Sequence, residues 1–483
     1  MSMHFSFNEG RAPGNAGSQQ GRPDDDRPFR ILVIADLSAR ASRGITEPLA
    51  GRKPIRVDLD RLDDLPGDLG AIVRLPARGG VEIALSSIDD LHPDAIYDRC
   101  ELFAALRELR ARARDPEKYK AVAEEVRSWA NLTTPPASQI ETKPSVVATP
   151  ESEFAAMLSG TVGKQPTKTA ASIDTLIKQI VAPHVVPDRD PEQTELIESI
   201  EAAIASEMRA VLRDADWRRT ESAWRSLHAL VTGLELDESL QLFALDASTD
   251  ELATHGSELE DAIVTTPAQT AGGQPWALIL HLERHTPESL DALPYLATLA
   301  HRAGAVLVSG VMPETAGFSI TGPNTDPGDW VEPAESFASL AESPAADAVC
   351  LVCPGMLLRL PFGRRTDEID RFAFEELTGD PTNHDLLWAS GALPVGLALG
   401  RAFTAVGWQA QPVGSATIDD LPVIPTEDGE ASHPCAQVWL SDRAAASLQA
   451  RGFTPLVSVQ HRGAVQITSL RNIHRKPLAC RWG

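Results

Sequence analysis

The amino-acid sequence predicts a multidomain α/β protein. A small N-terminal α/β domain is joined by a linker to a helical arm and a mostly parallel sheet flanked by helices, and the chain ends in an α+β piece. Three observations predict this fold class. The chain has 483 residues and is 43% hydrophobic, whereas one domain takes roughly 150 residues. Apolar residues follow a helical period over residues 192–231. Beyond Gly233, strand-like and helix-like segments alternate with short connections, as in parallel sheets.

The first ordered domain is predicted over residues 28–132, after a disordered tail over residues 1–27 that is rich in Gly, Asp, Arg and Gln. The apolar run FRILVI at residues 29–34 predicts a buried strand. Period-two alternation predicts two more strands, and apolar residues at helical spacing after Pro93 predict two covering helices. These four elements are expected at residues 54–60, 81–85, 94–114 and 117–132.

A linker is predicted at residues 133–149, which are rich in Pro, Ser and Thr and show no periodicity. The helical arm follows over residues 150–233. It begins with short helical pieces at 151–158 and 172–181, and its long periodic stretch has a break at 214–216. The arm is therefore expected to contain two long packed helices.

The remaining residues, 234–483, are predicted to form the large α/β domain. Strands are expected at 240–245, 276–281, 305–309 and 347–351, with helices at 289–303 and 389–406 and short final strands at 437–440, 456–459 and 464–470.

Charge and composition exclude several function classes. A formal net charge of -24 and the lack of a segregated basic patch argue against nucleic acid as a partner. No apolar run reaches the roughly 18 to 20 residues of a membrane helix, which argues against membrane insertion. The polar start lacks the apolar core of a signal peptide, and five scattered cysteines suit a reducing compartment. The sequence thus predicts a cytoplasmic protein.

Three motifs could carry chemistry, and each has a simpler interpretation. Cys350 and Cys353 have the spacing of a redox pair but lie in an apolar strand run, which favours buried core thiols. His281 and His285 flank a glutamate that is misplaced for a zinc helix, which favours a surface loop. The Gly-rich segment 160–164 lacks the spacing of a phosphate loop. No catalytic, cofactor-binding or metal-binding residue is therefore predicted.

Two helical faces have two interpretations each. Trp217 and Trp224 lie seven residues apart and share a face, which is either a core seam or a surface that docks on a partner chain. A row of arginines on the helix at 94–114 is either a solvated face or a set of partners for an acidic neighbouring subunit. This row comprises Arg107, Arg110, Arg112 and Arg114.

The motifs, taken in order, resemble those of the bacterial type VI secretion contractile sheath. PFRILVIADLSAR at 28–40, RKPI at 52–55 and IDDLHPD at 88–94 are similar to its small subunit. Five further motifs are similar to its large subunit. They are ESAWRSLH at 221–228, LRLPFG at 358–363, FAFEE at 372–376, LWASGA at 387–392 and GFTPL at 452–456.

The resemblance implies a structural sheath subunit in which two usually separate subunits are fused, so residues 28–132 are small-subunit-like and 234–483 large-subunit-like. It implies no enzymatic activity and no cofactor. The implied partners are other sheath subunits or further copies of the chain, an inner tube protein, a baseplate and a sheath-recycling AAA+ ATPase. A complete large subunit continues beyond this point in the family, so a C-terminally shortened region is expected.

Two alternatives remain open at this stage. One is a non-polymerising adaptor, or a baseplate or cap component, that co-assembles with complete sheath subunits. The other is an enzyme, which would need a pocket formed by His281, Glu283 and His285 near Cys353. The residues expected to act as structural or interface groups are Asp36, Asp90, Trp217, Glu221, Trp224, Arg225, Arg359, Pro361, Phe362 and Gly363.

Overall fold

The computed structural model describes residues 27–133, 168–181, 184, 192–269, 273–320, 325–379, 381–410, 414–425, 432–460 and 462–478. Four features predicted from the sequence lie outside the described residues, wholly or except for one terminal residue. They are the tail at 1–27, the linker at 133–149, the helical piece at 151–158 and the Gly-rich segment at 160–164.

The strands and helices alternate along the chain as the sequence pattern predicts. The strands are β1 Phe29–Ala35, β2 Ile55–Val57, β3 Ile72–Leu75, β4 Val81–Ala84, β5 Leu240–Asp246, β6 Leu278–His285, β7 Val306–Val311, β8 Val349–Cys353, β9 Met356–Leu357, β10 Trp388–Ala389, β11 Ala416–Ile418, β12 Thr454–Ser458 and β13 Val465–Ile467. The helices are α1 Leu59–Leu62, α2 Leu65–Asp68, α3 Pro93–Arg99, α4 Glu101–Arg114, α5 Tyr119–Thr133, α6 Lys168–Val181, α7 Gln193–Leu212, α8 Ala215–Gly233, α9 Thr249–His255, α10 Leu293–Ala303, α11 Glu335–Ala341, α12 Ala392–Val406 and α13 Asp442–Arg451.

Among the described residues, nine strands form one mixed sheet in the order β11-β13-β12-β8-β7-β6-β1-β5-β2. The run from β5 to β12 is parallel throughout. The edges are antiparallel, with β2 paired to β5 at one end and β13 and β11 added at the other. The predicted α/β class and mostly parallel sheet are confirmed.

Strand β1 lies in the middle of this sheet, although it comes from the N-terminal region. Its residue Ile31 pairs in parallel with Leu242 of β5 on one side and with Leu278 of β6 on the other. All its residues except Arg30 are buried, and a strand covered on both faces needs such a continuous apolar run. The N-terminal region and the large α/β region therefore share one sheet.

The two faces of β1 belong to two different cores, as the period of two in a strand requires. Ile31 and Val33 pack into the core that contains the apolar residues of α8 and α12. Leu32 and Ile34 pack into the core on the opposite face, with residues of α9 and α10. The β3–β4 hairpin lies against α8 and adds Val73 to the first core.

Three element predictions are corrected by the structure. The helix expected at 94–114 is two helices, because Cys100 adopts an extended backbone (φ -75°, ψ 131°) that interrupts the helical ladder. The strand expected at 54–60 ends at Val57, since Asp58 caps α1 by accepting the N–H of Arg61. Residues 437–440 form no continuous ladder and contain only isolated bridge positions, at Trp439 and at the neighbouring Ala436, which bridges to Met356.

The break predicted at 214–216 is confirmed, since α7 and α8 are separate helices. None of the described helices combines the length and apolar character that crossing a membrane requires.

Candidate functional site

Helix α8 holds four of the residues selected from the sequence, and three of them share one face. The side chain of Asp214 accepts the N–H groups of Asp216 and Trp217 and so caps the helix start. Trp217, Glu221 and Trp224 follow at spacings of four and three residues, which places them on one face. All three side chains are fully buried in the folded chain. Of the two interpretations of the tryptophan face, the structure supports the core seam.

Trp224 also connects the helical arm to the N-terminal region. Its indole Nε1–H donates a hydrogen bond of 2.9 Å to the carbonyl oxygen of Leu37, which follows β1. Buried indole N–H groups usually find an acceptor, because leaving one unpaired costs free energy. The tryptophan thus fixes the position of α8 against the chain that leaves β1.

Glu221 is the centre of a buried charge cluster formed by Glu221, Arg225, Arg359 and Glu376. Its Oε1 accepts hydrogen bonds of 2.7 Å from Nε of Arg225 and from Nε of Arg359. Nη1 of Arg359 donates to Oε2 of Glu376 over 2.7 Å. The guanidinium of Arg359 also lies 4.1 Å from the centroid of the Phe362 ring. The cluster joins α8 to the loop after β9.

Charge pairing decides the protonation of this cluster. Burial acts to raise the pKa of Glu221, but Arg359 and Arg225 outweigh it and hold that pKa below its ordinary value. Burial acts to lower the pKa of Arg359, and Glu221 and Glu376 raise it above its ordinary value. Both groups are therefore charged in the folded chain, and each depends on the other.

The loop that carries Arg359 is closed by backbone hydrogen bonds. The N–H of Phe362 donates to Oε2 of Glu376 over 2.8 Å, and the N–H of Gly363 donates to the carbonyl oxygen of Asp367 over 2.9 Å. Pro361, Phe362 and Gly363 are all buried. The fold thus brings together six of the ten residues selected from the sequence. They are Glu221, Arg225, Arg359, Pro361, Phe362 and Gly363.

Asp36 lies apart from that cluster, at the end of β1. Its carboxylate accepts the N–H groups of Arg40 at 2.7 Å and of Ala41 at 2.9 Å, and so closes the turn that follows the strand. Burial raises the pKa of Asp36 to about 6, with a further contribution from Asp246, although the two N–H groups oppose the shift. Its geometry is that of a residue that shapes the turn.

A second set of ion pairs lies beside this turn and was not predicted. Arg52 forms a bidentate pair with Glu251, with distances of 2.7 and 2.8 Å, and Arg40 approaches Asp246 at 3.2 Å. Burial acts to raise the pKa of Glu251, but hydrogen bonds from Arg52 and from backbone N–H groups lower it to about 2. These pairs attach the segment after β1 to the end of β5 and the start of α9.

Asp90 has a local role. Its carboxylate accepts the N–H and hydroxyl of Ser86 and the N–H of Ser87, at 2.7, 2.8 and 3.2 Å, and it also pairs with Arg99. Burial acts to raise the pKa of Asp90, and these donors together lower it. The residue caps the turn before α3 and lies outside both ion-pair clusters.

Sequence reasoning missed Glu376, Glu251 and Asp246 as partners of the arginines. A signal existed for Glu251, because Ser248 and Glu251 have the S-x-x-E spacing of a capping box, which the structure shows at the start of α9. Glu376 stands in a motif noted in the sequence, but its pairing with Arg359 depends on the fold. Asp246 carries no local signal.

Three of the four arginines in the row on α4 form ion pairs within the chain, while the guanidinium of Arg107 lies 5.3 Å from the centroid of the Tyr97 ring. Arg110 and Arg114 both bind Glu201 of α7, at 2.8 and 2.9 Å, and Arg112 binds Glu125 of α5. These contacts hold α4 against two other helices. The acidic partners of this row are therefore intramolecular.

The two cysteines of the C-x-x-C motif point to opposite faces of the sheet. Cys350 packs in one core and Cys353 in the other, because an offset of three residues on a strand reverses the side. Burial raises the pKa of Cys350 to about 11 and that of Cys353 further. Their placement is that of core thiols.

The prediction that His281 and His285 lie on a surface loop is wrong, since both are buried in β6. Nδ1 of His281 lies 2.9 Å from Nε2 of His285. Burial lowers the pKa of His285 to about 4 and that of His281 well below its ordinary value, so the pair is uncharged. Over the part of the chain that the structure describes, no group of three or more His, Cys, Asp and Glu residues could hold a metal ion.

Glu207 of α7 contributes one more contact to the N-terminal region. Its Oε2 lies 3.3 Å from Nη1 of Arg78, and the side chain is buried. Burial raises the pKa of Glu207 to about 7, because the single guanidinium only partly offsets the loss of water. The folded chain thus holds a proton here that the unfolded chain releases at lower pH.

We expect Glu207→Gln to stabilise the chain increasingly as pH rises. Between the ordinary pKa of 4.5 and the folded value of about 7, the folded wild type binds more protons than the unfolded chain, so its free energy of unfolding falls with pH. The variant lacks this loss, and its advantage should grow by about 1 to 3 kcal/mol over that range. Urea denaturation at several pH values measures the difference. Glu108→Gln, at an exposed position, is the matched control. If the stability difference from wild type does not change with pH for either variant, the prediction is wrong.

The residues selected from the sequence pack, cap and form ion pairs inside the chain, which is the geometry of residues that stabilise a fold. Comparison with known families agrees. The family model VipB (EvpB/VC_A0108, tail sheath N-terminal domain) matches residues 194–474, more than half of the chain, and T6SS_VipA (type VI secretion system, VipA, VC_A0107 or Hcp2) matches residues 18–129. The chain belongs to the type VI secretion tail sheath family, with small-subunit-like and large-subunit-like regions in one chain. The resemblance inferred from the motifs is confirmed.

One curated relative agrees with this assignment. The type VI secretion system sheath protein TssC1 of Pseudomonas aeruginosa is 26% identical over 336 residues, which are 63% of this chain and 67% of that protein. Among solved structures, a chain of the anti-feeding prophage baseplate, studied by cryo-electron microscopy with 6-fold symmetry, aligns with a TM-score of 0.30 and 10% identity. That alignment spans 54% of each chain.

Proposed function

We propose that this chain is a structural subunit of a type VI secretion contractile sheath, or of a sheath-like component, that assembles around an inner tube in the cytoplasm. The observation that carries the proposal is the position of β1, a small-subunit-like strand, between β5 and β6 of the large-subunit-like region. One chain thereby joins a small-subunit-like and a large-subunit-like region in one sheet. Chemistry on a substrate is not part of this role.

The internal contacts explain how one chain can act as a single building unit. The parallel pairing of β1, the hydrogen bond from Trp224 to Leu37 and the pair between Arg52 and Glu251 all connect the two regions. Covalent joining also makes their association intramolecular, so its strength does not depend on the concentration of free subunits. Contraction would then change the interfaces between units while each unit stays intact. Further proposed partners are the baseplate and the recycling ATPase.

The proposal is tested by expressing the full chain in bacterial cytosol, alone and together with complete small and large sheath subunits and the tube protein. Negative-stain electron microscopy and pull-down of a tagged chain are the measurements. We expect tubes or rows of regular diameter that contain the tagged chain. A monomer that binds complete subunits without entering tubes would indicate an adaptor instead. Failure to bind any sheath subunit would refute the proposal.

A further inference from the structure

A groove of about 620 Å³ lies on the surface beside the loop that carries the buried charge cluster. It is called here the Arg364 groove. Its lining includes Leu360, Arg364, Arg365, Glu375, Val423 and Ile424. Leu360 and Ile424 belong to a small apolar cluster that also contains Trp388, so the floor is supported from below. Val423 is 42% exposed at its edge. The groove thus offers apolar surface to an occupant.

The rim of the groove carries two adjacent positive charges. Arg364 and Arg365 are exposed, and no ion pair joins either of them to another described residue. Glu375 also lines the groove; its Oε1 accepts the backbone N–H of Arg364 over 3.3 Å, and it forms no ion pair with either guanidinium among the described residues. Two unpaired guanidinium groups beside an apolar floor favour an occupant that combines carboxylates with an exposed apolar side chain.

The described surface of the chain itself offers such an occupant. Residues 58–64, here called the Leu59 segment, have the sequence DLDRLDD and include α1. Leu62 points into the core, and Leu59 on the other side of this short helix is 63% exposed. Asp60, Asp63 and Asp64 are exposed or nearly so and form no ion pair with any described residue. The segment therefore offers one exposed apolar side chain to the floor of the groove and three carboxylates to its rim, with the exposed Arg61 between them.

The positions of the two surfaces in the fold fit a contact between copies. The Leu59 segment follows β2, the strand at one edge of the nine-stranded sheet. Val423 and Ile424 follow β11, the strand at the other edge. Two different surfaces that complement each other form a head-to-tail contact, and such a contact can repeat from copy to copy.

We propose that the Arg364 groove of one copy receives the Leu59 segment of a second copy. Leu59 packs on the apolar floor, and the carboxylates of the segment pair with Arg364 and Arg365. The inference rests on the proposed function, since it names a contact through which subunits of this kind associate. Each unit would use both surfaces, so units joined in this way form a row.

The test exchanges the charges on the full-length chain. One variant carries Arg364→Glu and Arg365→Glu, a second carries Asp60→Lys and Asp63→Lys, and a third carries all four changes. Asp58 stays unchanged because its side chain caps α1. Sedimentation velocity over a range of protein concentrations measures self-association, and circular dichroism verifies that each variant is folded.

We expect each two-residue variant to associate at least about tenfold more weakly than wild type, because like charges then face each other. The four-residue variant, and an equimolar mixture of the two weak variants, should regain association. Leu59→Ser should weaken association without a change of charge. The exposed Arg443→Glu is the matched control and should associate as wild type does.

Two results would overturn the proposed contact. If wild type associates and neither reversal weakens it, copies meet through other surfaces, and the sheath function stands. If wild type remains a monomer at all concentrations, this contact between copies does not form. In that case, co-assembly with complete sheath subunits is decided separately by electron microscopy and pull-down, so the two failures are distinguishable.

Discussion

Arg359→Ala is expected to lower the free energy of unfolding by about 3 to 5 kcal/mol, because it removes one partner of a buried ion-pair cluster. Arg359 bridges Glu221 and Glu376 and is itself buried within the loop after β9. Without it, Glu221 keeps only Arg225, and Glu376 loses its only described cationic partner. The carboxylate of Glu376 then stays buried without an ion-pair partner, and this desolvation is the source of the loss.

Urea denaturation followed by tryptophan fluorescence measures this loss. The matched control is Arg112→Ala, which removes a guanidinium from the half-exposed pair with Glu125. Such surface pairs contribute about 1 kcal/mol or less, so the control should remain close to wild type. If both variants lose the same free energy of unfolding, burial of the cluster does not increase its contribution to stability, and the prediction is wrong. The double variant Arg359→Met with Glu376→Gln should recover part of the stability, because Glu221 keeps its pair with Arg225 and position 376 no longer carries a charge.

Acid should weaken the same cluster. The pKa of Glu221 in the folded chain is depressed by Arg359 and Arg225. Its contribution to stability is therefore complete above the ordinary carboxyl value and is lost as pH falls through the folded pKa. The difference between wild type and Arg359→Ala should shrink in that acidic range, and this comparison belongs to the same set of denaturation curves.

Trp224→Ala is expected to cost about 3 to 5 kcal/mol of stability. The indole is fully buried, so its removal leaves a large cavity between α8 and the sheet, and the carbonyl of Leu37 loses its donor. Trp224→Phe keeps most of the volume and loses the hydrogen bond, so its cost should be smaller. Tyr295→Ala, at a position that is 46% exposed, is the control for removal of an aromatic ring and should cost less than about 1 kcal/mol.

The measurement also separates the two roles that a tryptophan face can have. If Trp224 is a core residue, thermal unfolding of the isolated chain shifts downward in proportion to the loss. A variant that unfolds like wild type but no longer enters sheath assemblies would place the residue at an interface between subunits. The first outcome is expected from the complete burial of the indole in the single chain.

Local patterns were sufficient for most of the elements. The run at 29–34 predicted β1, helical periodicity predicted α7 and α8, and the residues near 214–216 predicted their separation. The loop prediction at His281 and His285 failed because a side-chain contact, which the local pattern does not reveal, determines the structure there. His281 and His285 have the polarity of a loop, but their hydrogen bond to each other lets them enter the buried strand β6.

The sequence by itself determined the α/β class, the order of most elements and the family. Only the tertiary structure decided that β1 pairs between β5 and β6, and that Glu376 and Glu251 are the partners of the arginines. The physical reason is distance along the chain. Hydrophobic period and capping are properties of neighbouring residues, whereas strand order and buried ion pairs join residues about 200 positions apart in the case of Arg52 and Glu251.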